Sequence, residues 1–537
     1  MKLHRRISAA EAKRQVHDGD EIALLDVREA GQFGEGHPLF AIPAPYSTLE
    51  SRVGLLVPRR DVRTLLIDDG DGVSERAAQI LEEAGYRDVR IVDGGAPAWA
   101  SAGFSLYKGV NVPSKTLGEL VEHAWHPPTI DADTLHRWQR QGRAFRLFDA
   151  RPPAEYAKMR IPGAVCLPNG ELAHRFPAAV PTDDMPVVVT CAGRTRSLVG
   201  ALGLRLAGIK TPVFALENGT QGWTLAGYPL ERNNQADRYP VLSAQQARIT
   251  RSRAASLMAA QRIRSASPAE IVRWRDATDR TTYLLDLRTP AEIASNPAPA
   301  FVPALSGQLV QAVDQWIGVR GARVVLLDDH GLRGAIAAFW LRQLGYEVWV
   351  TRMDDCYREW PSPAPWPEPM TAPTIGASTA WARVCREEAQ LVDVRGSAAY
   401  RSRHLAGVPW AIRPRLGRLG LDRARPVFLV GDGQAGALAV RECLRLGHPE
   451  ACLVTGGLDA LANCGAVVEE GGMQPDTAAA IDYLFFVHDR HEGNLEASRR
   501  YLAWEQGLVA QLDGDERAEF RLPDVSPFLP NVTDRRP

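Results

Sequence analysis

The sequence predicts four α/β domains in tandem, each a mostly parallel sheet flanked by helices, followed by a helical C-terminal tail. Three observations predict it. An Asp-x-Arg triplet closes a short apolar strand four times, as Asp26-Val27-Arg28, Asp149-Ala150-Arg151, Asp286-Leu287-Arg288 and Asp393-Val394-Arg395. A second apolar strand follows each triplet at a near-constant distance: Leu65-Leu66-Ile67, Val187-Val188-Val189, Val324 to Leu327, and Val427 to Val430. Helix-like stretches ending in glycine, such as Ala77 to Gly85 and Ala335 to Gly345, lie between these strands and the next. Such alternation gives parallel sheets covered on both faces.

A chain of 537 residues exceeds what one hydrophobic core supports, and a repeat of domain length means tandem domains, not a solenoid. The expected domains are 1–112, 120–235, 265–362 and 373–472, with a linker helix over 236–264 and the helical extension over 473–537. Each triplet is preceded by a helix start. Ser8 with Glu11 and Ser267 with Glu270 fit a capping box, Pro268 suits a first helical turn, Asp131 precedes Thr134-Leu135, and the fourth start, Gly376 to Ala380, is weaker. A third strand leads to a glycine-rich turn at Asp93-Gly94-Gly95, at Gly219 and at Gly456-Gly457. The third repeat has Met353-Asp354-Asp355-Cys356 in that place.

Ser243 to Arg264 reads as one long alanine-rich helix with Arg248, Arg251, Arg253 and Arg262, a solvated linker between two domain pairs in preference to an anion or nucleic-acid surface. The proline-rich run Pro361 to Pro373 reads as a stiff linker. In the tail, Asp482 to Val487 and Leu495 to Leu512 suggest one or two amphipathic helices that pack on a domain or a second subunit. His488, His491 and Glu492 lack a third well-spaced ligand, so no metal is expected there.

With 63 basic and 64 acidic residues the chain has no global field for nucleic acid or membrane, and neither partner is expected. The N-terminus lacks the apolar centre of a secretory signal, and no stretch is apolar enough to span a bilayer. Seven scattered cysteines without a Cys-x-x-Cys pair argue against a disulfide framework and a zinc site, and the expected location is the cytoplasm.

The chemistry concentrates in Cys191-Ala192-Gly193-Arg194-Thr195-Arg196-Ser197, between a buried strand and the helix-like Leu198 to Leu206. Backbone amides at a helix N-terminus, with Arg194 and Arg196 beside them, favour the thiolate that attacks and also suit an oxyanion. A merely buried cysteine would not call for two arginines and a glycine. Asp149 and Arg151 read first as an ion pair tying the strand end. Trp223 could line the entrance or fill the core, and His174 follows an expected loop and could be exposed, with nothing to mark it as a base. At the position of Cys191 the other repeats are expected to carry Asp69, Asp329 and Asp432, read as caps for the following helix. Cys443, Cys452 and Cys464 fall outside that position.

Asp-x-Arg, a strand ending in Cys-x-x-x-x-Arg-Ser, then a glycine-rich turn and tryptophan resemble the rhodanese sulfurtransferase family, repeated four times over roughly residues 5 to 470. The match is specific in the second repeat, at Asp149, Arg151, Glu155, Ile161 to Ala164, Cys191 to Ser197, Gly219 and Trp223. The resemblance implies a thiosulfate sulfurtransferase without cofactor, in which Cys191 takes sulfane sulfur from thiosulfate or a related persulfide and passes it to a thiol or cyanide. The amides of Ala192 to Ser197 would hold the persulfide, and Arg194 and Arg196 the donor's sulfonate. The aspartate repeats would be inactive. Two other readings stand beside it. A cysteine phosphatase would need five residues between cysteine and arginine, whereas Cys191 and Arg196 enclose one fewer. A non-catalytic scaffold or persulfide carrier would dock a sulfur-acceptor protein, and a homodimer is left open.

Overall fold

Runs of β-branched and aliphatic residues become the central strands of four parallel sheets that share one strand order. The computed structural model describes residues 4–180, 185–363, 371–472, 474–488 and 494–525. They belong to two compact units, one of residues Met1–Val16, Ile22–Val110 and Ala364–His488, the other of His17–Glu21, Asn111–Pro363 and Asp489–Pro537.

In the second sheet the order is Thr129–Ile130, Val213–Leu216, Val187–Thr190, Arg146–Asp149 and Val165–Cys166, all parallel. The first sheet, Arg5–Ile7, Val89–Val92, Arg63–Ile67, Ile22–Asp26 and Ile42–Pro43, repeats it. So does the third, from Arg264–Ser265 through Glu347–Arg352, Arg323–Asp328 and Thr282–Asp286 to Val302–Pro303. The fourth keeps four strands, Thr374–Gly376, Cys452–Thr455, Val427–Val430 and Gln390–Asp393, with an isolated Asp393–Trp410 bridge in place of a fifth. The second strand lies at the centre of each five-stranded sheet, so its residues are buried from both faces and its C-terminal end opens where neighbouring loops converge.

The register corrects one expectation. Asp149 pairs with Thr190, Asp26 with Ile67, Asp286 with Leu327 and Asp393 with Val430. The residue after each partner occupies the place of Cys191, and it is Asp68, Asp328 and Gly431, not Asp69, Asp329 and Asp432. The shift arises because the apolar run before Asp68 and Asp328 fixes only the strand, while the doublets Asp68-Asp69 and Asp328-Asp329 leave the turn ambiguous by one residue.

The helix expected over 243 to 264 is Ala244–Ala260, with Ser243 and Gln246 forming a capping box. It is not merely solvated. Ala247, Thr250, Ala254 and Leu257 are buried against the helices Glu171–Ala179 and Leu332–Gln343, so it joins two sheets of one unit by packing. Part of the proline-rich run, residues 364–370, lies outside the described residues. Among the described residues no helix is long and apolar enough to cross a membrane.

Each unit holds its two sheets together through buried ions. In the second, Arg333 is paired with Asp328, Glu171 and Glu292, while Arg175 reaches Glu171 and Glu292. In the first, Arg413 forms two bonds to Glu50 at 2.6 and 2.7 Å and meets Glu442, which also accepts the Tyr46 hydroxyl at 2.7 Å. Removing one member of such a buried cluster strands the others. Arg413→Ala is expected to cost about 3–5 kcal/mol, seen in chemical denaturation as an earlier first transition.

Candidate active site

The strand Val187–Thr190 is wholly buried, and it delivers Cys191 to the C-terminal edge of its sheet. The helix Thr195–Leu206 begins four residues later with Arg194 as its N-cap residue. The amides of Gly193 and Ser197, with the Ser197 hydroxyl, face the sulfur, so the positive end of the helix and its loop close around one atom. Cys191 is 1% exposed. Burial pushes its thiol up from the ordinary value, and the Arg196 charge, Ser197 and the Gly193 amide pull the other way without overcoming it. A thiolate poised near neutral pH, expected from the sequence, is therefore not met in this closed geometry.

The other sheets show what the loop is built to hold. Asp68 accepts from the Gly70 amide at 2.9 Å and from the Ser74 amide at 2.9 Å, two and six residues on, the same steps that separate Cys191 from Gly193 and Ser197. Asp328 accepts from the amides of Arg333 at 3.0 Å and Gly334 at 3.5 Å. Although burial opposes it, Arg333 holds the Asp328 carboxyl well below the usual carboxylate range. The cradle thus carries an anion in the first and third sheets. The capping role expected for Asp69 and Asp329 belongs to these preceding aspartates, and Asp432 is an N-cap residue whose side chain makes no capping bond.

The glycine-rich turn fixes the loop from below. Gly219 has φ +51°, and a Cβ there would overlap the Cys191 carbonyl oxygen. That carbonyl accepts from the Thr220 amide at 2.8 Å, while Ala192 O accepts from the Gln221 amide at 3.2 Å and side chain at 3.1 Å. The first sheet repeats the contact, with the Ala96 amide on Asp68 O at 2.7 Å.

A family model described as the rhodanese-like domain matches residues 8–102 and 131–226. SseB of Mycobacterium tuberculosis, named as a thiosulfate sulfurtransferase, is 30% identical over 211 residues, covering 31% of this chain and 71% of SseB. The chain belongs to the rhodanese-type sulfurtransferases. A Pseudomonas aeruginosa protein named as a 3-mercaptopyruvate sulfurtransferase is 31% identical over 29% of this chain and 62% of its own length. The crystal structure of a thiosulfate sulfurtransferase from Pseudomonas aeruginosa is 36% identical, with a TM-score of 0.87 over 97% of this chain and all of that one.

In this sulfurtransferase the two loop arginines are engaged elsewhere than on an open sulfonate site. Arg196 is paired in bidentate fashion with Glu155 at 2.8 and 2.9 Å. Arg194 turns to Glu119, at 2.7 and 3.1 Å, to Glu122 and to Asn218. Glu119 and Glu122 lie on the helix Val112–Trp125, which packs so closely that Gly118 faces Thr195 with no room for a Cβ. Asp149 and Arg151 form the expected pair, with Arg151 donating through Nε at 2.9 Å and Nη2 at 2.7 Å and binding Met159 O at 2.6 Å. The equivalent Arg28 also donates from Nη1 to Asp69 at 2.9 Å, and Arg288 to Asp329 at 3.4 Å. At that place the second sheet has Ala192. There Arg151, Met159, Ala192, Gln221 and Leu495 line a cavity of about 160 Å³.

Trp223 fills the core, 1% exposed, with its indole N–H on Pro229 O. His174 lies in the helix Glu171–Ala179, buried and not exposed as expected, and burial lowers it to about 4. Thr195 binds Glu505 of the tail at 2.9 Å, and Ser197 donates to Arg194 O at 2.8 Å. Of the tail, Phe485–His488 and Leu495–Gln506 are helices, and the second packs on the helix Gly219–Leu225 beside the loop. His491 and Glu492 lie outside the described residues. Glu119, Glu122, Gln221 and Glu505 carry no motif, and sequence reasoning missed them.

Two outcomes follow. Gly219→Ala displaces the Cys191 carbonyl, and a loop shift of that kind is expected to lower transfer about 100-fold while circular dichroism stays native. Because the buried thiol is raised, thiolate forms only as pH climbs past the ordinary thiol range. The rate of Cys191 alkylation should therefore keep rising where an unperturbed cysteine has levelled off, and a plateau at neutral pH would refute the assignment.

Proposed function

We propose that this protein is built from four rhodanese-like domains, of which the second alone moves sulfur, through a persulfide on Cys191. The observation that carries this reading is internal. The cradle that surrounds Cys191 is filled in the first sheet by Asp68 on the two equivalent amides, and in the third by Asp328 on the amides of Arg333 and Gly334, so it reads as an anion site, and only the second sheet gives it a nucleophile. The fourth has Gly431 there and no side chain to react.

The sulfur donor of this reading is thiosulfate or a related sulfane compound. The Cys191 thiolate attacks the sulfane sulfur; the new S–S bond forms as the bond to the sulfonate breaks, and sulfite leaves with that electron pair. An acceptor thiolate or cyanide then attacks the outer sulfur and Cys191 departs as thiolate, a ping-pong sequence of two displacements. The amides of Gly193 and Ser197 stabilise the anionic persulfide, as fixed dipoles do in a water-poor site. Ala192, where Asp69 and Asp329 stand in the inactive domains, leaves the guanidinium edge of Arg151 on the cavity to receive the donor's anionic end. Arg196 supports the thiolate electrostatically, whereas Arg194 and Thr195 hold the loop in place through the carboxylates around them.

The test is intact-protein mass after incubation with thiosulfate. A reductant-sensitive gain of one sulfur, about 32 Da, is expected in wild type and absent in Cys191→Ser. Asp69→Asn, Asp329→Asn and Asp432→Asn should load sulfur as wild type does. A gain that survives Cys191→Ser would place the active cysteine elsewhere.

A further inference from the structure

The tail helix Leu495–Gln506, outside the residues that the rhodanese-like model matches, contributes a carboxylate to the loop. Glu505 is 2% exposed. Its Oε1 accepts from Thr195 Oγ1 at 2.9 Å, and its Oε2 is buried without a hydrogen-bond partner. That Oε2 sits 3.3 Å from where a Cβ on Gly193 would be, and Gln221 Nε2 sits 3.3 Å from the same point. Gln221, 9% exposed, spends that Nε2 on Ala192 O, and its own Oε1 is likewise buried and unpartnered. One orphaned acceptor oxygen, Glu505 Oε2, therefore flanks Gly193, two residues from Cys191, and the Gln221 amide beside it carries a second orphaned oxygen.

Buried acceptors without donors are costly, and a charged one more so, unless a ligand supplies the missing hydrogen bonds. The surrounding charge states what kind of donor fits. Arg194 is shared among Glu119, Glu122 and, at longer range, Glu505, three carboxylates to one guanidinium, while Arg196 is committed to Glu155. With the buried Lys115, whose Nζ lies over the Tyr501 and Trp504 rings of the same helix as Glu505, two cations face these three carboxylates, and the excess is still negative. Thiosulfate carries only acceptor oxygens and two negative charges, so it satisfies neither Glu505 nor Gln221. An ammonium group carries the donors that both oxygens lack.

We propose that Glu505, with Gln221, forms an ammonium subsite beside Cys191, and that the sulfur acceptor it selects is an aminothiol of the cysteine class. The proposal rests on the Cys191 persulfide reading and names its second substrate. With the ammonium on Glu505 and Gln221, the acceptor thiolate attacks the outer persulfide sulfur; the new S–S bond forms, the bond to Cys191 breaks, and the products are the acceptor's persulfide and the Cys191 thiolate. Glu505 is thus a specificity-determining residue supplied by the tail.

Binding to the full-length Cys191→Ser protein tests this without any sulfur transfer. S-methylcysteine and 3-(methylthio)propionate differ by the ammonium group, and calorimetry should find the former at least about tenfold tighter, the usual worth of a charge-assisted bond. Adding Glu505→Gln should bring the two within about twofold, and Gln221→Met, which leaves the Thr195–Glu505 contact in place, should narrow the gap on its own. Equal affinities in the Cys191→Ser parent, binding of neither compound, or a preference that survives both substitutions would overturn the subsite. The mass test of Cys191 is read separately, so failure of the persulfide reading and failure of this subsite cannot be confused.

Discussion

Backbone amides that converge on one point at the end of a central strand favour an anion there, and the rest of the second sheet is arranged around that demand. Val187 to Thr190 carry Cys191 to the sheet edge, the helix from Thr195 brings its positive end, and Gly219 lets the next turn press against the Cys191 carbonyl. The first and third sheets meet the same requirement with Asp68 and Asp328. A carboxylate is a permanent occupant, whereas a thiol that becomes a persulfide is a transient one. The proposed division between structural and reactive repeats rests on that difference of one side chain.

The cradle also explains why the site is closed. A sulfur atom surrounded by amides is stabilised as an anion only where water does not compete, and burial that strengthens those dipoles also raises the free thiol. The loop gains rigidity from ion pairs on both sides, Arg196 to Glu155 and Arg194 to Glu119. Those pairs engage both arginines, while Gln221 Oε1 and Glu505 Oε2 are buried beside the loop without a hydrogen-bond partner.

Much of this was legible in the sequence. The recurring Asp-x-Arg triplets become bidentate pairs in every sheet, because a buried carboxylate at a strand end needs its cation two residues on. The strand of Val187 to Val189 and the helix after Arg194 also lie where apolar periodicity put them. What failed did so for local reasons. Asp68 and Asp69 are adjacent and alike, so only the strand register could say which one replaces Cys191. Arg194 looked like a substrate cation because Glu119 and Glu122 lie some seventy residues away in the chain. His174 looked exposed because its burial comes from a neighbouring sheet, where His330 meets its ring at 5.3 Å. Glu505 was invisible because one glutamate in an amphipathic helix has no pattern until the helix is seated.

In the proposed reaction the amides of Gly193 and Ser197 hold a sulfur anion on Cys191. A crystal structure of the protein after exposure to thiosulfate, with anomalous data that locate sulfur atoms, tests it most directly. One added sulfur is expected, bonded to Cys191 Sγ and lying within hydrogen-bond distance of the loop amides. An unmodified Cys191 with the added sulfur on Cys166, Cys443 or another cysteine would contradict it.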